Sequence, residues 1–234
     1  MFQTRTRATI LTAAALAACW LPGAQTPAKP APSGAAKPPL TRPLFENERV
    51  RVIEALWEPG ASAAAFKGFP SSEILGVVAV VLKGGAVEHL YASGKKVRKE
   101  RRPGDVFFQP PDRAVEARQN VGGTRLDMIQ VALKKAPPTQ QYAGPAAGAR
   151  KLFENARVVV FELALAPGAK TVMHKYGPRA WVILEGGDLR SWDKAGKPQE
   201  ARFASSQAVF LPAQEHTMEN IGKTKERIIS LELK

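Results

Sequence analysis

The chain has 234 residues, of which 44% are apolar, so it can bury a sizeable core as one or two domains. Its formal net charge of +13 at pH 7 would attract polyanions in general. The single cysteine lies near the N-terminus, which excludes disulfides, a thiolate nucleophile and cysteine metal ligands from the rest of the chain.

The first 19 residues have the pattern of an export signal. Two arginines and no acid precede a run of apolar and small residues from Ala8 to Ala18, which is shorter than a membrane-spanning helix but suits a signal peptide. The run ends in Leu16-Ala17-Ala18-Cys19, which resembles the bacterial lipobox and implies lipidation of Cys19. We therefore predict an exported, periplasmic or envelope-anchored lipoprotein that contacts the membrane through its lipid. Cleavage after Ala24 and simple secretion are the alternative.

Residues 20–43 are mostly alanine, proline, glycine, lysine and threonine. This composition buries too little apolar surface to offset the entropy of ordering, and its prolines favour extended conformations. The segment is predicted to be a tether between the anchor and the folded part.

The remainder is an internal repeat whose matching segments keep the same order in both copies, which indicates a fold built from two equivalent units. The matches are Leu44–Val50 with Leu152–Val158, Pro59-Gly60-Ala61 with Pro167-Gly168-Ala169, Val81–Gly85 with Ile183–Gly187, Phe108-Gln109-Pro110 with Phe210-Leu211-Pro212, and Asn120-Val121-Gly122 with Asn220-Ile221-Gly222. We predict one unit over 44–134 and a second over 152–234, joined by a connector at 135–151.

Both units have the patterns of β-structure. Short apolar runs rich in valine and isoleucine, such as Ile74–Leu82 and Trp181–Leu184, suit strands that are buried on both faces. Glycine-centred turns separate strands at 92–95 and 194–197, and a last strand is predicted over Glu226–Leu233. No long helical periodicity follows the signal segment, so the predicted fold class is all-β.

The second unit carries the most informative motif. Gly168 stands six positions before His174, an apolar run ends at Gly186-Gly187, and Pro212 to Asn220 contains His216. This arrangement resembles the two-part signature of the cupin superfamily, and the repeat resembles a bicupin. The resemblance implies two consecutive jelly-roll β-barrels, with a divalent metal held inside a barrel by histidines and a glutamate.

This chain departs from that motif at two positions. Tyr176 stands where the family has its second histidine, and Arg179 or Ala180 stands where it has the glutamate, depending on which glycine is aligned. In the first unit, Glu116 falls at the position of His216, so that unit is predicted to lack a metal site. His89 lies outside the motif positions and is predicted to be a surface residue.

The resemblance implies that His174, Tyr176 and His216 converge inside the second barrel, because alternate residues of a strand share a face. We predict a small-molecule site formed by His174, Tyr176, Arg179 and His216, with an anionic ligand if Arg179 faces inward. The alternative is a metal enzyme, a dioxygenase or an isomerase, that holds one divalent ion through His174 and His216. A structural barrel without a ligand is the remaining interpretation.

The basic run Lys95–Arg102 allows a further hypothesis, a module that binds acidic polymers of the cell envelope. The competing interpretation is a solvated strand edge that positive charge protects from aggregation. No nucleic-acid motif accompanies the run, so no nucleic-acid partner is predicted. The sequence also lacks a nucleophile elbow, a phosphate-binding loop and a zinc-protease motif, and it assigns no catalytic residue.

Overall fold

The computed structural model describes residues 37–64, 73–111, 115–137 and 148–234. The predicted signal peptide, Cys19 and most of the predicted tether lie outside these ranges. Every regular element in them is a β-strand. Among the described residues there is no helix with the length and hydropathy needed to cross a membrane.

Within the described ranges, each unit forms nine strands. The first contains β1 (Leu40–Glu46), β2 (Val50–Trp57), β3 (Ser62–Ala64), β4 (Ile74–Lys83), β5 (Gly85–Tyr91), β6 (Lys96–Arg101), β7 (Val106–Gln109), β8 (Val115–Asn120) and β9 (Leu126–Lys134). The second contains β10 (Arg150–Glu154), β11 (Val158–Leu165), β12 (His174–Tyr176), β13 (Arg179–Glu185), β14 (Gly187–Asp193), β15 (Pro198–Phe203), β16 (Ala208–Leu211), β17 (Gln214–Asn220) and β18 (Glu226–Leu233).

The two units have the same topology. The first consists of a five-stranded sheet in the order β1-β2-β9-β4-β7 and a four-stranded sheet in the order β3-β8-β5-β6. The second repeats both orders, as β10-β11-β18-β13-β16 and β12-β17-β14-β15. All strand pairs are antiparallel, and the first strand pair of each unit shifts register at corresponding places, after Pro43 and after Lys151. Each unit is therefore a barrel made of two facing sheets.

The two barrels share one hydrophobic core. The outward faces of both five-stranded sheets contribute buried residues to it, including Val78, Val80 and Ile129 from the first barrel and Val182 and Ile229 from the second. Each barrel also has its own interior cluster, around Val81 and Leu126 in one and around Ile183 and Ile228 in the other. The five-stranded sheets are thus buried on both faces, which explains their continuous apolar runs.

The all-β fold and the two-unit organisation are confirmed, and the last strand has the predicted bounds. The first strand begins at Leu40, inside the segment predicted as tether, and β10 begins at Arg150, inside the predicted connector. Both differences have one cause: these strands pair with β2 and β11 through residues whose sequence shows no strand periodicity. The rest of the connector, residues 138–147, lies outside the described ranges.

Candidate functional site

The structure brings the four predicted site residues of the second barrel together. His174 and His216 are cross-strand partners on β12 and β17, and Tyr176 shares its face with His174. Arg179 opens β13 on the opposite sheet and is fully buried, whereas Ala180 points outward into the shared core. Arg179 is therefore the residue at the glutamate position of the motif.

Backbone contacts hold this end of the barrel in place. Gly168 has a positive φ of 75°, which a residue with a side chain rarely adopts, and its amide donates to the Asn220 carbonyl. Three residues later, Thr171 Oγ1 accepts a hydrogen bond from the Met218 amide at 2.9 Å. The buried Asn220 side chain in turn donates to the carbonyls of Leu165 and Thr224. These bonds fix the start of β12 against β17.

Three rings form a compact cluster at this position. The His174 ring lies 4.5 Å from the Tyr176 ring and 4.9 Å from the His216 ring, both edge-on. The Arg179 guanidinium stacks over the Tyr176 ring at 4.3 Å from its centroid, a favourable cation–π distance. It also donates to the Gly177 and Pro212 carbonyls at 3.3 Å.

Both histidines are neutral at pH 7. Burial, and then the charges of Arg179 and His174, lower the pKa of His216 to about 3. Burial also lowers the pKa of His174, as does Arg179, against the raising effect of its bond to the Val172 carbonyl. That bond, 2.6 Å from His174 Nδ1 to Val172 O, requires the proton on Nδ1. His174 Nε2 is consequently a hydrogen-bond acceptor.

The outer nitrogens of the two imidazoles are buried and have no hydrogen-bond partner among the described residues. Unpartnered buried polar atoms are costly, and a bound ligand is one way to satisfy them. His174 Nε2 can accept a hydrogen bond from a ligand, and no group among the described residues donates one to it.

A buried ion pair lies behind the ring cluster. Arg179 Nε is 4.0 Å from Glu232 Oε1, and Ser230 donates to the same carboxylate oxygen at 2.8 Å. Burial raises the pKa of Glu232 to about 7, although Arg179 and Ser230 both oppose the shift. The pKa of Arg179 is lowered to about 10 by burial, so it stays charged at pH 7. The pair therefore places a charged arginine directly behind the ring cluster.

An open groove leads to His216 from the mouth of the barrel. Its volume is about 430 Å³, and it is lined mainly by polar side chains of β14, β15, β17 and the turn between the first two: Ser191, Asp193, Lys197, Pro198, Gln199, Gln214, Glu215 and His216. Val172 and Met173, which precede His174 in the chain, are exposed apolar residues. The lining of the groove has no distinctive sequence signal, because its polar residues lie in strands with irregular alternation.

The side chains present fall short of a typical metal site. The ring cluster itself supplies two imidazole nitrogens and no carboxylate, whereas catalytic zinc sites typically use three protein ligands. No group of three histidine, cysteine, aspartate or glutamate side chains is suitably placed among the described residues. The positive charge of the nearby Arg179 also disfavours the binding of a metal cation. The set fits a neutral or anionic ligand better than a divalent metal.

The first barrel has a different interior. Glu116, at the position of His216, is exposed on β8. The prediction that His89 lies on the surface is wrong, because β5 turns this side chain into the barrel and leaves it only 6% exposed. Strands β5 and β6 carry polar residues on both faces, so their sequence does not show which face is inside.

The basic run is also divided between two faces of β6. Lys96 and Arg98 point outward and pair with Glu88 and Glu100, each at 2.9 Å. Lys99 and Arg101 alternate with them and point inward. The outward charge is thus partly neutralised, which agrees better with a protected strand edge than with a polyanion-binding surface.

No sequence model of a protein family matches the chain, and no curated protein matches it significantly. Several solved structures do match the chain in fold. A cupin 2 conserved barrel domain protein from Leptotrichia buccalis aligns with a TM-score of 0.53 at 13% identity, over 86% of this chain and 92% of its own. Bacillus subtilis oxalate decarboxylase, studied for its Mn(II) centres, aligns with a TM-score of 0.54 at 11% identity, over 85% and 74%.

A third similar structure is Lactobacillus farciminis oxalate decarboxylase in complex with formate. It aligns with a TM-score of 0.56 at 9% identity, over 85% of this chain and 82% of that one. At these identities the likeness concerns the fold and not the activity. Together with the repeated two-sheet topology, it shows that the chain folds as two consecutive cupin-like jelly-roll barrels.

Proposed function

We propose that the second barrel binds a small polar molecule that carries both a hydroxyl and an acidic group, such as a hydroxy acid. The observation that carries this proposal is the pair of buried, unpartnered Nε2 atoms of His174 and His216. His174 Nε2 is a hydrogen-bond acceptor, to which a hydroxyl of the ligand can donate. The charge of Arg179, which acts on both histidines, favours an acidic group nearby.

The test is calorimetric titration with lactate, beside propionate, which lacks the hydroxyl, and propane-1,2-diol, which lacks the charge. We expect lactate to bind most tightly. His216→Phe should weaken lactate binding at least about tenfold, since a lost hydrogen bond to a charged group costs about 1.5–3 kcal/mol. Lys175→Ala is the matched control, because this residue is on the same strand pair but exposed. Equal affinity in wild type and His216→Phe would refute the proposal.

A metal-dependent oxygenase or isomerase is the second candidate, and the same two Nε2 atoms favour it. Elemental analysis of the wild type beside His174→Ala/His216→Ala distinguishes the two. About one equivalent of a divalent metal that the double variant loses would support the metal enzyme. Absence of metal after reconstitution with manganese, iron, zinc, nickel and copper would leave the metal-free site.

We also propose that the protein acts outside the cytoplasm, anchored by a lipid on Cys19. The support is the signal-like segment and the residues before Cys19. Labelling of cells with an alkyne fatty acid should mark the wild type and not Cys19→Ala. A labelled Cys19→Ala variant, or an unlabelled wild type, would contradict the lipid anchor.

A further inference from the structure

The interior of the first barrel places positively charged side chains around a buried histidine. His89 is the Cα partner of Arg118 on β8 and lies between β8 and β6, which contributes Lys99 and Arg101. Burial, followed by the charges of Arg118, Lys99 and Arg101, lowers the pKa of His89 to about 4. Three cations therefore act on one buried, neutral imidazole.

Little negative charge balances Lys99 and Arg101. Burial lowers the pKa of Arg101, and Asp105 is the one acid with a raising effect on it. The Asp105 carboxylate accepts a hydrogen bond from the Arg102 amide in the following turn. Among the described residues, Lys99 and Arg101 form no ion pair within 4.0 Å. Burying a cation without a counter-charge is costly, so we expect an anion to bind in this interior.

The same interior contains unpartnered donors. Trp57 Nε1 and Arg101 Nε are buried and have no acceptor among the described residues. The Arg101 Cζ lies over the Phe107 ring, 3.7 Å from its centroid, and this cation–π contact helps to hold the guanidinium in place. Gln109, which is 6% exposed, completes the wall with Gln130.

Two adjoining cavities occupy the space between these groups. One has a volume of about 40 Å³ and the other about 10 Å³, and Trp57, Gln109, Arg118 and Gln130 line both, whereas Arg101 lines only the smaller. Since one water needs roughly 10–15 Å³ on this scale, the two cavities together hold about four water-sized groups, some of them beside Arg101. An ion of three or four non-hydrogen atoms has that size.

The second barrel shows that the charges are not required by the fold. By strand register, Arg101 corresponds to Phe203 and Arg118 to Met218, while His89 corresponds to Ser191. The same architecture accepts apolar side chains at both arginine positions.

We propose that the first barrel binds a small planar oxyanion, such as acetate or nitrate, between Trp57, Arg101 and Arg118. This site is separate from the groove of the second barrel and takes a different ligand. The anion supplies the missing counter-charge for Arg101 and the acceptor for the Trp57 indole.

The test uses the full chain with ¹⁵N-labelled tryptophan, at constant ionic strength. Acetate and nitrate should each shift the Trp57 indole N–H signal saturably, with the signal assigned through Trp57→Phe. p-Toluenesulfonate, an anion too large for the cavities, should not. At a concentration of 100 times Kd, the small anion should also lower the unfolding equilibrium constant about 100-fold. No shift at Trp57, or the same shift with the large anion, would overturn the proposal.

Substitution locates the site. Arg101→Phe introduces the residue of the second barrel and should abolish both responses to acetate while leaving the melting temperature without acetate unchanged or higher. Arg98→Gln, on the outward face of the same strand, should keep them, as should His174→Phe/His216→Phe. If Arg101→Phe fails to fold, Arg101→Gln replaces it. An unchanged acetate response in the folded variant would count against the site.

Discussion

The buried pair of Arg179 and Glu232 allows a quantitative test of how the second barrel is stabilised. At 4.0 Å, two unit charges attract by about 4 kcal/mol at an effective dielectric constant near 20. Both side chains are at most 1% exposed, so desolvation offsets much of this gain. Replacing only one partner of such a pair lowers the free energy of unfolding more than replacing both. The first barrel has Val77 and Ala132 at the corresponding positions.

We expect Glu232→Leu to lower the free energy of unfolding by about 3–5 kcal/mol, because it leaves a buried arginine that cannot lose its charge. Arg179→Met should cost less, about 1–2 kcal/mol at pH 7, since the remaining carboxyl already has a pKa of about 7 and takes up a proton. The double variant should be within about 1 kcal/mol of wild type, or more stable.

Urea unfolding of the four proteins gives the coupling energy, which we expect to be at least about 2 kcal/mol. The matched control is the exposed pair of Arg190 and Glu200, whose nitrogen and oxygen are only 2.7 Å apart. Despite the shorter distance, Arg190→Met/Glu200→Leu should show a coupling of about 0–1 kcal/mol. Additive effects at Arg179 and Glu232, or a stronger coupling in the exposed pair, would refute the reasoning.

Three further predictions concern stability. Burial, followed by the charge of Asp188, raises the pKa of Glu226 to about 7. The contribution of Glu226 to folding stability is therefore intact below pH 4.5 and is lost as the pH rises through 7. Glu226→Leu should stabilise the protein at pH 8 by roughly 1–3 kcal/mol more than at pH 4.5, as measured by thermal unfolding. Asn220→Ala removes three hydrogen bonds and should cost about 2–4 kcal/mol in urea unfolding, and Asn120→Ala should cost the same because its bonds correspond. Gly76→Ala would place a Cβ 2.3 Å from the Phe108 ring and should lower the melting temperature by several degrees, more than Gly94→Ala, whose Cβ meets open space.

The sequence predicts the fold well because both signals on which it rests are long. The repeat extends over most of the chain after the tether, and doubly buried strands such as β4 are nearly continuous apolar runs. Strand alternation predicts that His174 and Tyr176 share a face, and the family resemblance adds their convergence with His216. The fold class, once the repeat is recognised, depends on no single residue.

The electrostatics of the interiors could not be predicted in the same way. The partner of Arg179 is Glu232, which lies more than fifty residues away and near the end of a strand that also begins with a buried glutamate. The placement of His89 and Arg101 depends on the register of β5 and β6, whose polar residues fall on both faces. Cross-strand register decides these contacts, and it is set by turns and bulges whose effect the local pattern does not show.

The core shared by the two five-stranded sheets makes this single chain the covalent equivalent of a symmetric homodimer. In a true homodimer, every substitution occurs twice, so both binding sites must change together. Here the two copies are encoded separately while the shared core keeps them in the same structure. One barrel can therefore carry a cluster of cations and the other a pair of histidines, and Arg101 and Phe203 are an example of this difference at equivalent positions.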